Sequence, residues 1–261
     1  MADGETAAYA APGLSAIAWR DRAVLWGSLG AITALAWLYL AWMPMSAGDF
    51  GGRAARLLSA VSPGTAEAAL MFLMWAVMMV AMMVPSAAPM IETYARIARG
   101  RSARPGYCVG LFAAGYLAIW TGFSVVATAA QIALQRAGVV SGALTATPVV
   151  SAALLIVAGL YQVTPLKDVC LSRCRSPLGF LMTEWREGPA GACVMGLRHG
   201  AMCVGCCWML MLLLFVFGVM NLIWVAALSV FVLLEKSLPA GRLVARASGF
   251  AMLAGGIALL V

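Results

Sequence analysis

Seven apolar stretches in a chain of 261 residues leave few choices of fold. They fall at roughly 23–43, 66–85, 108–133, 149–163, 202–218, 222–234 and 244–261, the fourth and sixth being short. A helix needs about 20 apolar residues to cross a bilayer, and most of the seven come near that. Soluble domains carry roughly 25% charged residues, whereas here 10% are charged and 64% are hydrophobic. The sequence therefore predicts an all-α fold, a polytopic membrane bundle of about seven transmembrane helices. Residues 23–261 form a single transmembrane domain, preceded by a cytoplasmic N-terminal segment at 1–22. The first apolar run has no clear small-residue cleavage site at its end, so it reads as a retained span rather than a signal peptide.

Only Gly218-Val-Met-Asn221 separates the fifth and sixth stretches. One helix of about 33 residues over both would be near 50 Å long at 1.5 Å per residue. A bilayer core needs less, so two helices joined by a tight turn are expected. Basic residues then divide by side. Arg20 and Arg22, the group Arg96 to Arg104, the group Lys167 to Arg198, and Lys236, Arg242 and Arg246 occupy alternate connections. Together they are 14 of the 17 lysines and arginines, against Arg53, Arg56 and Arg136 on the other side. The positive-inside rule places the N-terminus in the cytoplasm and the C-terminus outside. It also accounts for the net charge of +7 without a nucleic-acid partner.

On this topology all seven cysteines fall near the cytoplasmic face, where thiols stay reduced and metal or redox chemistry is favoured over a disulfide framework. His199, the one histidine of the chain, and Cys203, Cys206 and Cys207 are spaced to share one helix stripe, in the first turns of the fifth span. Cys170 and Cys174 form a Cys-x3-Cys loop in the connection before it. Stripe and loop are expected to converge on one soft metal ion. Lys167, Arg173 and Arg175 around that loop favour the thiolate that binds metal, and serve equally as topology signals. Cys108 and Cys193 read as small buried hydrophobes, and His199, beside Arg198, reads equally as an interfacial residue.

Helix 2 adds thioethers. Met71, Met74, Met78 and Met82 recur at spacings of 3, 4 and 4, with Met79 and Met83 alongside. Packing is the ordinary use of such a stripe; the alternative is a track, through Met78 and Met82, leading from the thiols. Thiolate and thioether select Cu(I), whereas harder ions prefer carboxylate and water. Copper is the expected ion, and zinc the alternative, since four thiolates or three with an imidazole suit it. Glu235 and Lys236 read as a shallow charge pair at a helix end. Thr164-Pro165 should end helix 4, with Gln162 and Thr164 bonding to the backbone freed there.

Three motif groups together resemble a bacterial domain-of-unknown-function family described as predicted metal-binding integral membrane proteins. The first is Trp75, Met78, Met79, Ala81, Met82, Met83 and Pro85. The second runs Tyr161-Gln162, Thr164-Pro165-Leu166-Lys167, Cys170-Leu171, Cys174-Arg175 and Pro177. The third is Gly205-Cys206-Cys207-Trp208, Leu210-Met211, Gly218-Val219-Met220-Asn221 and Glu235-Lys236. The resemblance covers about 66–240 and implies metal binding and a multi-pass place in a bacterial inner (plasma) membrane. It carries over no catalytic residue.

The first functional expectation is a membrane protein that binds a soft metal ion, through Cys170, Cys174, Cys203, Cys206, Cys207, His199, Met78 and Met82, for transport, delivery or homeostasis. Its partners would be the lipid bilayer, the ion, and a metallochaperone or membrane enzyme. The alternatives are an accessory or assembly subunit of a membrane enzyme complex, or a membrane thiol-disulfide oxidoreductase. No Walker motif, EF-hand loop or dinucleotide fingerprint is present, so any transport needs a gradient or a partner for energy.

Overall fold

The computed structural model describes residues 19–46, 64–138, 146–219 and 221–260. The expected N-terminal segment up to residue 18, Arg53, Arg56 and Met220 lie outside the described residues. Among those residues the chain is all helical. In order they form α1 (Trp19–Ser46), α2 (Thr65–Arg101), α3 (Pro105–Arg136), α4 (Pro148–Gln162) and α5 (Pro165–Arg175). There follow α6 (Pro177–Glu184), α7 (Gly188–Leu212), α8 (Leu214–Phe217), α9 (Leu222–Ser237) and α10 (Gly241–Ala258).

Four of these stretches are long and apolar enough to cross a membrane: 21–42, 65–101, 105–136 and 188–217. A fifth is obtained if α4 and α5, bent by 65° at their junction, count as one broken span. The seven apolar stretches thus map unevenly onto helices, because a helix does not stop where its hydrophobicity does. α2 continues through Pro85 and Pro89 to Arg101, well beyond the apolar run ending at 85. α7 starts at Gly188, well before the run at 202. The break after α8 falls at Gly218, whose φ of 92° is strained for any residue with a Cβ. A turn was expected there.

α2 is the central helix. Trp75, Met78, Met79, Met82 and Met83 are all essentially without solvent contact, and Trp75 donates from Nε1 to Gln131 Oε1 on α3 at 2.6 Å. α1 packs mainly on α2, joined by the Asp21–Arg99 pair at 2.6 Å.

The most extensive contact is between α3 and α7. It rests on small residues, as membrane helix interfaces do when backbones approach closely. A Cβ on Gly196 would run into the backbone carbonyl of Phe112, and one on Gly115 into that of Cys193. Gly196→Ala is therefore expected to destabilise the bundle by about 1–3 kcal/mol, the ordinary cost of overpacking. It should appear as an earlier unfolding midpoint in detergent, while Gly122→Ala, where nothing lies within 4 Å, should leave the midpoint in place. α4 packs against α10 by the same device, Gly159 facing Gly249.

Thr164-Pro165 ends α4 as expected. Thr164 caps α5, accepting from the Lys167 amide at 3.3 Å and donating to the Tyr161 carbonyl at 2.7 Å. Gln162 does not serve the backbone there. It enters a buried side-chain network, donating to Glu235 Oε1 at 3.1 Å and to Ser248 Oγ at 3.0 Å.

Candidate metal centre

The stripe read from the sequence is intact on α7. Cys203, Cys206 and Cys207 face one way, as residues three and four apart must, and their sulfurs all lie within 4.8 Å of one another. Each is at most 1% exposed. The thiols of Cys206 and Cys207 donate to the Cys203 carbonyl at 3.1 and 3.0 Å, which aims both sulfurs back along the helix. The cluster sits about four turns into α7, in its middle and not in its first turns as expected. The fourteen residues before the apolar run, 188–201, are helical too.

Cys170 and Cys174 lie on a helix, α5, and not in a loop. Proline at the first position and the Thr164 cap start that helix, and it packs on α7. Cys174 is buried, and its sulfur is 3.9 Å from that of Cys206. Cys170, one turn earlier, is only half-buried. Its sulfur is 2.8 Å from where a Cβ on Gly205 would stand, so a residue without a side chain lets it lie against α7.

Three further elements close the site. From α2, Met83 brings its thioether sulfur to 4.0 Å from Cys207 Sγ. Met78 and Met82 are buried in the same helix, but the described thioether contact to the cluster is through Met83. From α9, Lys236 donates to Cys203 Sγ at 2.9 Å and to Ser86 Oγ at 3.0 Å. The Tyr116 hydroxyl of α3 is 3.1 Å from the same sulfur and 3.2 Å from the Met83 carbonyl. The expected Glu235–Lys236 pairing is not formed. Neighbours in sequence point to different faces of a helix, so Glu235 turns to Lys167, at 2.8 Å, while Lys236 turns to the thiols. Lys167 is accordingly fully buried with Glu235, its ammonium paired with that carboxylate.

His199 is one turn before Cys203 but not within 4.8 Å of all three sulfurs. It lies in an aromatic cage, stacked on Tyr116 at 5.4 Å and Phe112 at 6.1 Å with Phe180 edge-on at 5.6 Å. Its buried Nδ1 has no hydrogen-bond partner among the described residues. Cys108 meets Ser102 Oγ at 3.3 Å, away from the cluster.

The donor set suits a soft monovalent ion or zinc. A metal–sulfur bond of about 2.3 Å puts the sulfurs of a tetrahedral site about 3.8 Å apart. The Cys206–Cys174 separation of 3.9 Å already matches that, and the three α7 sulfurs, within 4.8 Å of one another, need contract among themselves by about 1 Å at most. Carboxylates, the donors of hard cations, take no part in the group. Lys236 adds a positive charge where a metal–thiolate unit carries negative charge.

Sequence reasoning missed Met83 as a contact, and Lys236 and Tyr116 altogether. Met83 was visible beside the methionine stripe. Lys236 had a signal too, since an ionisable residue within a membrane bundle marks a functional site by default, but its depth was not legible. No sequence signal marked Tyr116.

No curated protein and no solved structure matches this sequence significantly. A family model described as PpoB2, copper chaperone, matches residues 72–259, a range that takes in α2 from its second turn, all of α5 and α7, and the α9 lysine. With the greater part of its length under that model, the chain belongs to the PpoB2 copper chaperone family.

Proposed function

We propose that this protein is a multi-pass membrane copper chaperone that holds Cu(I) on Cys203, Cys206 and Cys207 and passes it on within the bacterial inner membrane. The observation that carries the reading is the group of three buried thiols within 4.8 Å of one another. Cys174 and Met83 supply further soft donors at 3.9 and 4.0 Å from it. In this reading residues 23–261 act as one transmembrane domain with an N-terminal segment in the cytoplasm, and seven spans remain the proposed topology. Cys170 extends the thiol set toward the surface. Met78 and Met82 line the helix that carries Met83 and continue the thioether set away from the thiols. His199 stands behind Cys203 as a reserve donor. The lipid bilayer surrounds the protein, and its macromolecular partners are a copper donor and a copper-requiring acceptor, such as a membrane enzyme. Zinc is the competing ion, favoured by the four-thiol count.

The test is elemental analysis of anaerobically purified protein beside the Cys203/Cys206/Cys207→Ser variant. Stoichiometric copper, lost in the variant, is the expected result. Zinc in its place would change the ion. Metal-free protein after reconstitution with Cu(I) under reducing conditions would leave the thiol oxidoreductase reading, which the close approach of Cys174 and Cys206 favours.

Lys236→Met should lower Cu(I) affinity by about 10–100-fold, the usual effect of losing a group that orients and charges a ligand from outside the coordination sphere. Lys236→Arg keeps the charge and should recover most of it. Competition against a chromophoric Cu(I) chelator reads both.

A further inference from the structure

The cluster is closed to solvent. Cys203, Cys206 and Cys207 are at most 1% exposed and Cys174 is 9% exposed, and α2, α3, α5 and α9 cover them. A thiol-bound Cu(I) moves by ligand exchange, in which a new sulfur binds before an old one leaves. An ion delivered from outside therefore needs a first sulfur that a donor can touch and that lies within reach of the next. Cys170 is the half-exposed thiol beside this group. It shares a face of α5 with Cys174 at i,i+4, and it rests on α7 at Gly205, the residue before Cys206.

Gly205 makes that seat. A Cβ there would stand 2.8 Å from Cys170 Sγ. The Gly205 carbonyl is fixed by the Tyr161 hydroxyl, which donates to it from the end of α4. The sulfurs are thus graded in exposure, from half-exposed Cys170 through Cys174, with Cys206 at 3.9 Å, to the enclosed group and Met83.

We propose that Cys170 is the receiving thiol of the chaperone: it takes Cu(I) from an outside thiolate carrier and passes it inward to Cys174 and Cys206, without being a ligand of the resting copper site. This rests on the proposed copper reading and adds the place of loading to it. In the first step a bond forms between Cu(I) and the Cys170 sulfur, and the donor's copper–sulfur bond breaks. The proton leaving the Cys170 thiol goes to the released donor thiolate. In the next step Cys174 and Cys206 bind the ion and lose two protons; one goes to the Cys170 sulfur as it leaves copper, and the other passes to bulk water. Copper stays Cu(I) throughout, so no oxidant or reductant enters.

The test is anaerobic stopped-flow loading of the purified full-length chain from a Cu(I)–glutathione complex, followed by copper analysis at equilibrium. Cys170→Ser should load about tenfold more slowly or worse, a barrier change of the size one lost binding step produces, and should still reach the wild-type copper content. Gly205→Ala, whose methyl meets only the movable Cys170 side chain, should slow loading in the same direction with unchanged content. Cys170→Ser loading at the wild-type rate would overturn the proposal. So would a Cys170→Ser end-point below wild type, because Cys170 would then be a resident ligand. If the wild-type chain takes up no copper, the chaperone reading itself falls, an outcome distinct from equal rates in wild type and variant.

Discussion

Cys206→Ser should weaken Cu(I) binding by more than the roughly 100-fold that marks the upper range for outer-sphere partners. Cys206 occupies the junction of the site. It belongs to the group within 4.8 Å on α7, and its sulfur is 3.9 Å from that of Cys174 on α5. Serine keeps nearly the same volume and can donate to the Cys203 carbonyl in place of the thiol, which now does so at 3.1 Å. The fold should therefore survive, with only the soft donor removed. Hydroxyl oxygen is a poor substitute for thiolate toward a soft ion. Anaerobic titration against a Cu(I) chelator measures the loss, with Cys108→Ser as the matched control. Cys108 touches Ser102 and not the cluster, so that variant should bind as wild type. Equal affinity in Cys206→Ser and Cys108→Ser would remove the α7 thiols as ligands.

Lys167→Met should be the most damaging single change to stability, about 3–5 kcal/mol, because it leaves Glu235 buried and unpaired. The pair is 0% and 2% exposed at the side chains. Lys167 Nζ donates to both carboxylate oxygens, at 2.8 and 2.9 Å, and to Gln162 Oε1. Gln162 in turn bonds to Glu235 and to Ser248. The network therefore joins α4, α5, α9 and α10 where α4 and α5 bend by 65°. A satisfied network of this kind specifies one arrangement of its helices. It holds α5, with Cys170 and Cys174, at a fixed height against α7. Replacing both partners, Lys167→Met with Glu235→Leu, removes the uncompensated charge and should recover most of the lost stability. A double-mutant cycle on detergent unfolding midpoints tests this. Additive single effects would show that the two charges act independently. The double variant should still bind Cu(I) but with a looser α5, seen as slower transfer between Cys170 and the cluster.

The all-helical class was legible because it needs only composition and run length. The α7 thiol stripe was legible because helical periodicity is local: residues 203, 206 and 207 share a face in any helix that contains them. The same reasoning paired Thr164 with Pro165 and placed the end of α4. What failed was of a different kind. Helix ends at 188 and 101 were missed because polar residues continue a helix wherever backbone bonding is satisfied within it. Glu235 and Lys236 were paired on adjacency alone, although consecutive helical residues diverge. Lys167 was placed among loop cations because its partner stands 68 positions away in sequence.

The sequence by itself determined the donor chemistry: which sulfurs exist, which of them share a helix face, and that few hard ligands compete. The tertiary structure alone decided which of the methionines touches the thiols, that Lys236 and Tyr116 both address Cys203, and that half-buried Cys170 lies against α7 at Gly205 while Cys174 meets Cys206. Those relations hold between helices, where neighbours are set by side-chain volume and close backbone approach at residues such as Gly196 and Gly205. Spacing along the chain carries no record of them.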